Sequence, residues 1–234
     1  MTIQVERSHP GVRYRLAVPD GWTSFPVQAA RLRPAIRRWL LRRLSHRSRD
    51  ETVALRRRAE DELVQLAQSP GIEYAKQLLV LSLDVGQAPI TATCLVALVP
   101  RHLPDDGAMA ALVIELTPPT GTAEMAELGG STGIVVVQDI VPIASEQQPS
   151  DAELAELLSR TGPPGEVSVD QVAEHRATAE RARSVDIYLP VPESRQTLTL
   201  SFSTPVVPLF EPLTELFVAI ASTVQFRVGE DAWR

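Results

Sequence analysis

The chain has 234 residues, of which 44% are hydrophobic, 22% charged and 5% aromatic. At roughly 100–200 residues per domain that balance fits a single folded unit over 1–234 and excludes a disordered, collagen-like or disulfide-stapled chain. The formal charge of −6 weighs against a dedicated nucleic-acid binder, because proteins that track phosphates usually carry a net excess of basic residues.

Cys94 is the single cysteine and has no internal disulfide partner. The start, Met1 to Arg7, lacks the apolar stretch of a signal peptide, and apolar runs such as Gly133–Val137 and Leu78–Leu81 fall far short of the ~20 residues of a membrane span. The expectation is a cytoplasmic chain without a transmembrane segment. Lys76 is the one lysine and Asn is absent, a skew that fits a GC-rich genome and carries no mechanism.

In chain order, Tyr14–Val18 and Trp22–Pro26 flank the turn Asp20-Gly21, which predicts an N-terminal hairpin. Over 27–68 the apolar spacing turns helical, with Leu32, Ile36, Trp39, Leu40 and Leu44 and then Val53, Ala59, Leu63 and Leu66, and predicts two helices. The break falls near Ser45-His46-Arg47-Ser48, with Ser48 placed to cap a second helix whose first turn holds Asp50 and Glu51. Strands follow at 74–85 and 90–99, where Ile90, Ala92, Cys94, Val96 and Leu98 occupy one face. Residues 105–116 favour a helix, although Val113-Ile114 is also compatible with a strand. Residues 123–140, about the turn Gly129-Gly130, read as a third hairpin or as a loop leading into a buried strand, and a polar connection follows over 144–170 with a short helix at 151–158. Ser184–Val191 and Gln196–Phe202 alternate cleanly and pair, and Leu209, Phe210, Leu213, Leu216, Phe217 and Ile220 predict an amphipathic helix before a short strand at 224–228. The fold class is therefore α+β, an antiparallel sheet of about six strands between helices, with an Arg-rich helical insertion after the first hairpin.

Tyr14-x-Leu16-x-Val18-Pro19-Asp20-Gly21-Trp22 near the start, and Leu198-x-Leu200-Ser201-Phe202-Ser203-Thr204-Pro205 followed by Leu213-x-x-Leu216-Phe217-x-x-Ile220-Ala221-x-Thr223-Val224 near the end, resemble the PsbP/Mog-like domain. The same fold is similar to that of LpqN-type lipoproteins and of small actinobacterial proteins. The resemblance covers about a third of the chain, at its two ends, and rests on structural positions. It implies an α/β sandwich used for binding and assembly, and it brings no catalytic residue with it.

The most unusual segment electrically is 31–58, where eleven Arg stand against Asp50 and Glu51 for a local charge of +9, leaving −15 on the rest of the chain. On a helix at ~100° per residue, Arg31, Arg37, Arg38 and Arg42 fall opposite the Leu32–Leu44 stripe, as does Leu41. No acidic residue lies between Arg31 and Arg49 to form i,i+4 pairs, so the guanidinium groups face water, acidic groups elsewhere on the protein, or an anionic partner. Arg31, Arg37, Arg38, Arg42 and Arg43, with Trp39 as packing residue or hydrophobic anchor, are the candidate partner-binding set. The expected function is a non-enzymatic module that docks a protein partner through this surface. The alternative is a contact with anionic lipid or nucleic acid, and the bland reading is a solvated face.

Gly129-Gly130-Ser131-Thr132-Gly133 has the G-x-S-x-G spacing of a hydrolase elbow, which makes a serine hydrolase through Ser131 a weaker alternative. A strand pattern follows where the elbow needs a helix, and His175, the one downstream histidine, lies in a polar stretch. His9, His46, His102 and His175 lack metal-ligand spacing, Cys94 lies on the apolar face of its strand as a small core residue, and Asp105-Asp106 and Glu230-Asp231 fit helix starts and a tail. No metal, cofactor or catalytic set is expected. Trp22 is expected to pack on the sheet.

Overall fold

Alternating apolar and polar side chains build the larger of two antiparallel sheets. The computed structural model describes residues 3–9, 12–27, 29–45, 49–67, 74–85, 88–103, 106–140 and 182–228. Seven strands run in the order β3 (Trp22–Pro26), β4 (Ala75–Val85), β5 (Ala88–Val99), β9 (Thr197–Thr204), β8 (Ala182–Pro190), β7 (Ser131–Ile140) and β6 (Gly121–Leu128). Every neighbouring pair is antiparallel, and β8 and β9 pair from Arg183 opposite Thr204 to Pro190 opposite Thr197.

The period of two sorts this sheet into two faces. One face carries Trp22, Leu79, Leu81, Ala92, Cys94, Val96, Val185, Ile187, Leu200 and Phe202 into the main core. Helix α4 (Phe210–Ala221) covers it, burying Phe210, Leu213, Phe217, Ile220 and Ala221 at helical intervals. The Phe202 and Phe217 rings stack at 4.4 Å, and Trp22 meets both edge-on. The opposite face takes helices α1 (Ala29–Arg43) and α2 (Arg49–Leu66) at one end, where Leu32, Ile36, Leu40 and Val64 pack on Phe25, Leu78 and Val80. At the other end α3 (Asp106–Leu116) seats Met109 and Leu112 on Ile134 and Val136.

The first hairpin does not form. Strand β2 (Val12–Val18) pairs instead with β1 (Ile3–His9) and with the C-terminal β10 (Gln225–Val228) in a separate three-stranded sheet, while β3 belongs to the large one. Gly21, at φ +96°, turns the chain from one sheet to the other. The reason is burial: Tyr14, Leu16 and Val18 share one face of β2 and reach the main core beside α4, a position that folding back on β3 would not give them. The helical insertion thus follows β3, and the larger sheet has seven strands rather than about six.

The two helices of the insertion, the helix at 106–116, the hairpins at 75–99, 121–140 and 182–204, and the closing helix and strand all form where the sequence places them. The polar connection at 144–170, its short helix, Ser48 as a cap, and His9, His46 and His175 as side chains lie outside the described residues. No helix is long and apolar enough to cross a membrane among the described residues.

Candidate functional site

Helix α1 divides its arginines among three environments, and the angular position of each decides which. Leu32, Ile36 and Leu40 bury the inner stripe. Arg43 follows that stripe by one turn and reaches β4, donating from Nε to the Ser82 hydroxyl at 3.2 Å and from Nη2 to the Ser82 carbonyl at 3.3 Å. Trp39 sits on the same side and packs edge-on against Phe25, centroids 5.8 Å apart, so it works as a packing residue of the helix–sheet core.

Arg33 and Arg37 lie on the flank that faces α2. Arg37 holds the Glu60 carboxylate at two points, Nε to Oε2 at 3.0 Å and Nη2 to Oε1 at 3.0 Å. Arg33 adds a contact of 3.1 Å to Glu60 and one of 2.7 Å to Asp61. The Glu60 side chain is only 4% exposed, yet the Arg37 hydrogen bonds, reinforced by Arg33, hold its carboxyl below the usual range against the opposing effect of burial. The same contacts raise Arg33 and Arg37. The counter-ion that 31–49 lacks in sequence is supplied by the second helix of the same insertion. Its signal in the sequence was an acidic pair, Glu60-Asp61, within the apolar repeat of α2, but only the antiparallel pairing of the helices brings it to Arg37.

Arg31, Arg38 and Arg42 occupy the outermost stripe. Their spacings of seven and four residues place them within roughly 40° on a helix. All three are exposed, and none forms an ion pair among the described residues; Arg38 donates to the Pro34 carbonyl at 3.4 Å, one turn back. Leu41, 48% exposed, flanks them. Of the six candidate residues, then, the fold aligns Arg31, Arg38 and Arg42 in one cationic ridge and engages Arg37, Arg43 and Trp39 within the protein.

The other candidates fall into structural settings. Gly129 and Gly130, at φ +61° and +85°, form the tight turn between β6 and β7, and Ser131 opens a strand. A pocket of about 200 Å³ includes Ser131 with Leu128, Leu189, Pro192 and Phe226, and a neighbouring one of about 380 Å³ includes Arg15, Ser222, Thr223 and Gln225. Neither has a histidine in its lining among the described residues, and His102 is exposed beyond β5. Cys94 is fully buried in the main core and burial pushes its thiol well up. No cluster of metal-ligating side chains occurs among the described residues.

One partly buried acid lies in a strand of the large sheet: Asp186 on β8 sits on the face opposite the main core, across from Ser201, whose hydroxyl donates to its carboxylate. Burial raises its pKa despite that bond, and pushes the neighbouring Tyr188 up to about 12. Its place in the alternation, between Val185 and Ile187, puts it on the second face, but which parts of that face are covered depends on tertiary packing.

No protein-family model matches the chain, and no curated protein matches it either.

Proposed function

We infer that the protein is a non-enzymatic docking module whose contact surface is the ridge Arg31, Arg38 and Arg42 on α1, and that its partner presents an acidic protein surface. One observation carries this reading: three exposed guanidinium groups share one stripe with no ion pair among the described residues, while Arg33 and Arg37 on the same helix are neutralised by Glu60 and Asp61. A guanidinium offers a planar fork of donors suited to carboxylates, and a row of three gives register as well as attraction. The remaining residues, at −15, leave this cationic ridge in strong contrast to the body that carries it.

The lipid alternative is less well supported, because a helix lying in a membrane interface buries its apolar face there, whereas Leu32, Ile36 and Leu40 are already under the sheet. Nucleic acid remains an outcome of the test. Arg31→Ser/Arg38→Ser/Arg42→Ser is compared with wild type in three assays: salt-graded affinity purification from the native host, flotation on anionic vesicles, and a salt titration with duplex DNA. The expected result is a protein partner recovered by wild type at low salt and lost by the variant, with neither vesicles nor DNA bound. Unchanged recovery by the variant overturns the reading, and binding to DNA or vesicles that the variant loses replaces it with the corresponding alternative.

A further inference from the structure

We infer that the partner docked by this surface is an amphipathic acidic α-helix that lies along α1, with its apolar stripe over the seam between α1 and α2 and its carboxylates on the arginines to either side. The inference rests on the docking reading and adds the shape of the partner to it.

A row of apolar residues beside the ridge is the first observation. Ala30, Pro34 and Leu41 are all exposed, and their spacings of four and seven residues keep them within roughly 40° on the helix. Arg31, Arg38 and Arg42 run about 80° to one side of this row, and Arg33 and Arg37, which face α2, lie on its other side. Intervals of four and then seven residues belong to one stripe of a helix–helix seam. The intermediate position of that stripe is Arg37, already held by Glu60.

The second observation is a cation on the far side of the row. α2 runs antiparallel to α1 and sets Glu60 against Arg37, so Arg57, one turn before Glu60 on the same flank, comes level with Leu41. Arg57 is exposed and forms no ion pair among the described residues. Leu41 therefore stands between Arg38 and Arg42 on α1 and Arg57 on α2. A helix with an apolar stripe edged by carboxylates is the complement of that arrangement.

Axial spacing selects a helix over an extended segment. At a rise of 1.5 Å per residue, Arg31 lies ~10.5 Å along the axis from Arg38, and Arg38 lies ~6 Å from Arg42. A strand presents side chains of one face every ~6.6 Å, which meets the shorter interval and leaves Arg31 near the midpoint between two carboxylates. A second helix lying along α1 has the same rise as α1. Its carboxylates, four and seven residues apart, meet all three guanidinium groups at once.

The test uses the full chain and two fluorescent peptides of three heptads, read by anisotropy at low salt. One peptide carries Leu at a and d, Glu at e and g, and Ala elsewhere; the other has Pro at two of its central Ala positions, which keeps length and charge and breaks the helix. The helical peptide is expected to bind wild type about tenfold more tightly than the Pro peptide does. Leu41→Ser, with unchanged circular dichroism, is expected to weaken the helical peptide several-fold, and Arg31→Ser/Arg38→Ser/Arg42→Ser to lose it. Equal binding of the two peptides overturns the helical partner, and its loss in the Arg variant then shows that the docking reading stands. Binding of neither peptide, or a helical peptide held as tightly by Leu41→Ser or by the Arg variant as by wild type, overturns the inference as well. The docking reading itself is judged by the partner recovered from the native host.

Discussion

Arg37 and Glu60 clamp α1 to α2 through two parallel hydrogen bonds of 3.0 Å, in which a 59% exposed guanidinium reaches a carboxylate that is almost wholly buried. A buried carboxylate tolerates burial only while it is so paired. Glu60→Gln is expected to cost about 1.5–3 kcal/mol at neutral pH, the scale of hydrogen bonds to a charged group, measured by denaturant unfolding. Because the folded-state pKa of Glu60 is lowered, its contribution is present above the ordinary Glu value, about 4.3, and is lost as pH falls through the folded value. The gap between wild type and variant is expected to close in acid.

Asp186 behaves in the opposite sense. Its folded pKa is raised by burial, so its ionised form is a liability at pH values above the ordinary Asp value, about 3.9, and no liability below it. Asp186→Asn, which keeps a side chain able to bond to Ser201, is expected to raise the melting temperature at pH 7 and to lose that advantage as the pH is lowered below 4. A variant less stable than wild type at pH 7 would show that the carboxylate is stabilising where it sits.

Phe217 fixes α4 on the main sheet through its stack with Phe202 and its edge contact with Trp22. Phe217→Ala is expected to cost about 3–5 kcal/mol, as for other large aromatic truncations in a packed core, and to quench the near-ultraviolet dichroism of Trp22. A loss below 1 kcal/mol would mean that α4 contributes little to holding the two sheets together.

Cys94 lies between Ala92 and Val96 on the core face of β5, with a thiol pushed well up by burial. Native protein is expected to resist a thiol reagent such as Ellman's and to react fully in denaturant, with a native rate that follows the population of unfolded chain. Rapid labelling of the folded protein would place β5 at a mobile edge, contrary to its central position between β4 and β9.

Local period carried most of the elements. Val185, Ile187 and Leu189 alternate with polar residues whatever lies beside them, and Leu213, Phe217 and Ile220 repeat at helical spacing, so β8 and α4 follow from the chain alone. The Arg-rich stripe of α1 is likewise fixed by 3.6 residues per turn. Partner choice between elements is not a local property. Asp20-Gly21 is a legitimate hairpin turn, yet β2 leaves β3 for β1 and β10, because Tyr14, Leu16 and Val18 gain burial beside α4 only in that arrangement.

The same division holds for the candidate site. Composition and the helical period alone concentrate +9 in 31–58 and set Arg31, Arg38 and Arg42 on one side of a helix. Which of these charges find a partner is a matter of the fold: among the described residues, the antiparallel pairing of α2 carries Glu60 and Asp61 to Arg33 and Arg37, and docking on β4 carries Ser82 to Arg43. The physical reason is distance, since a carboxylate more than twenty residues away neutralises a guanidinium only when the fold brings the two within about 4 Å.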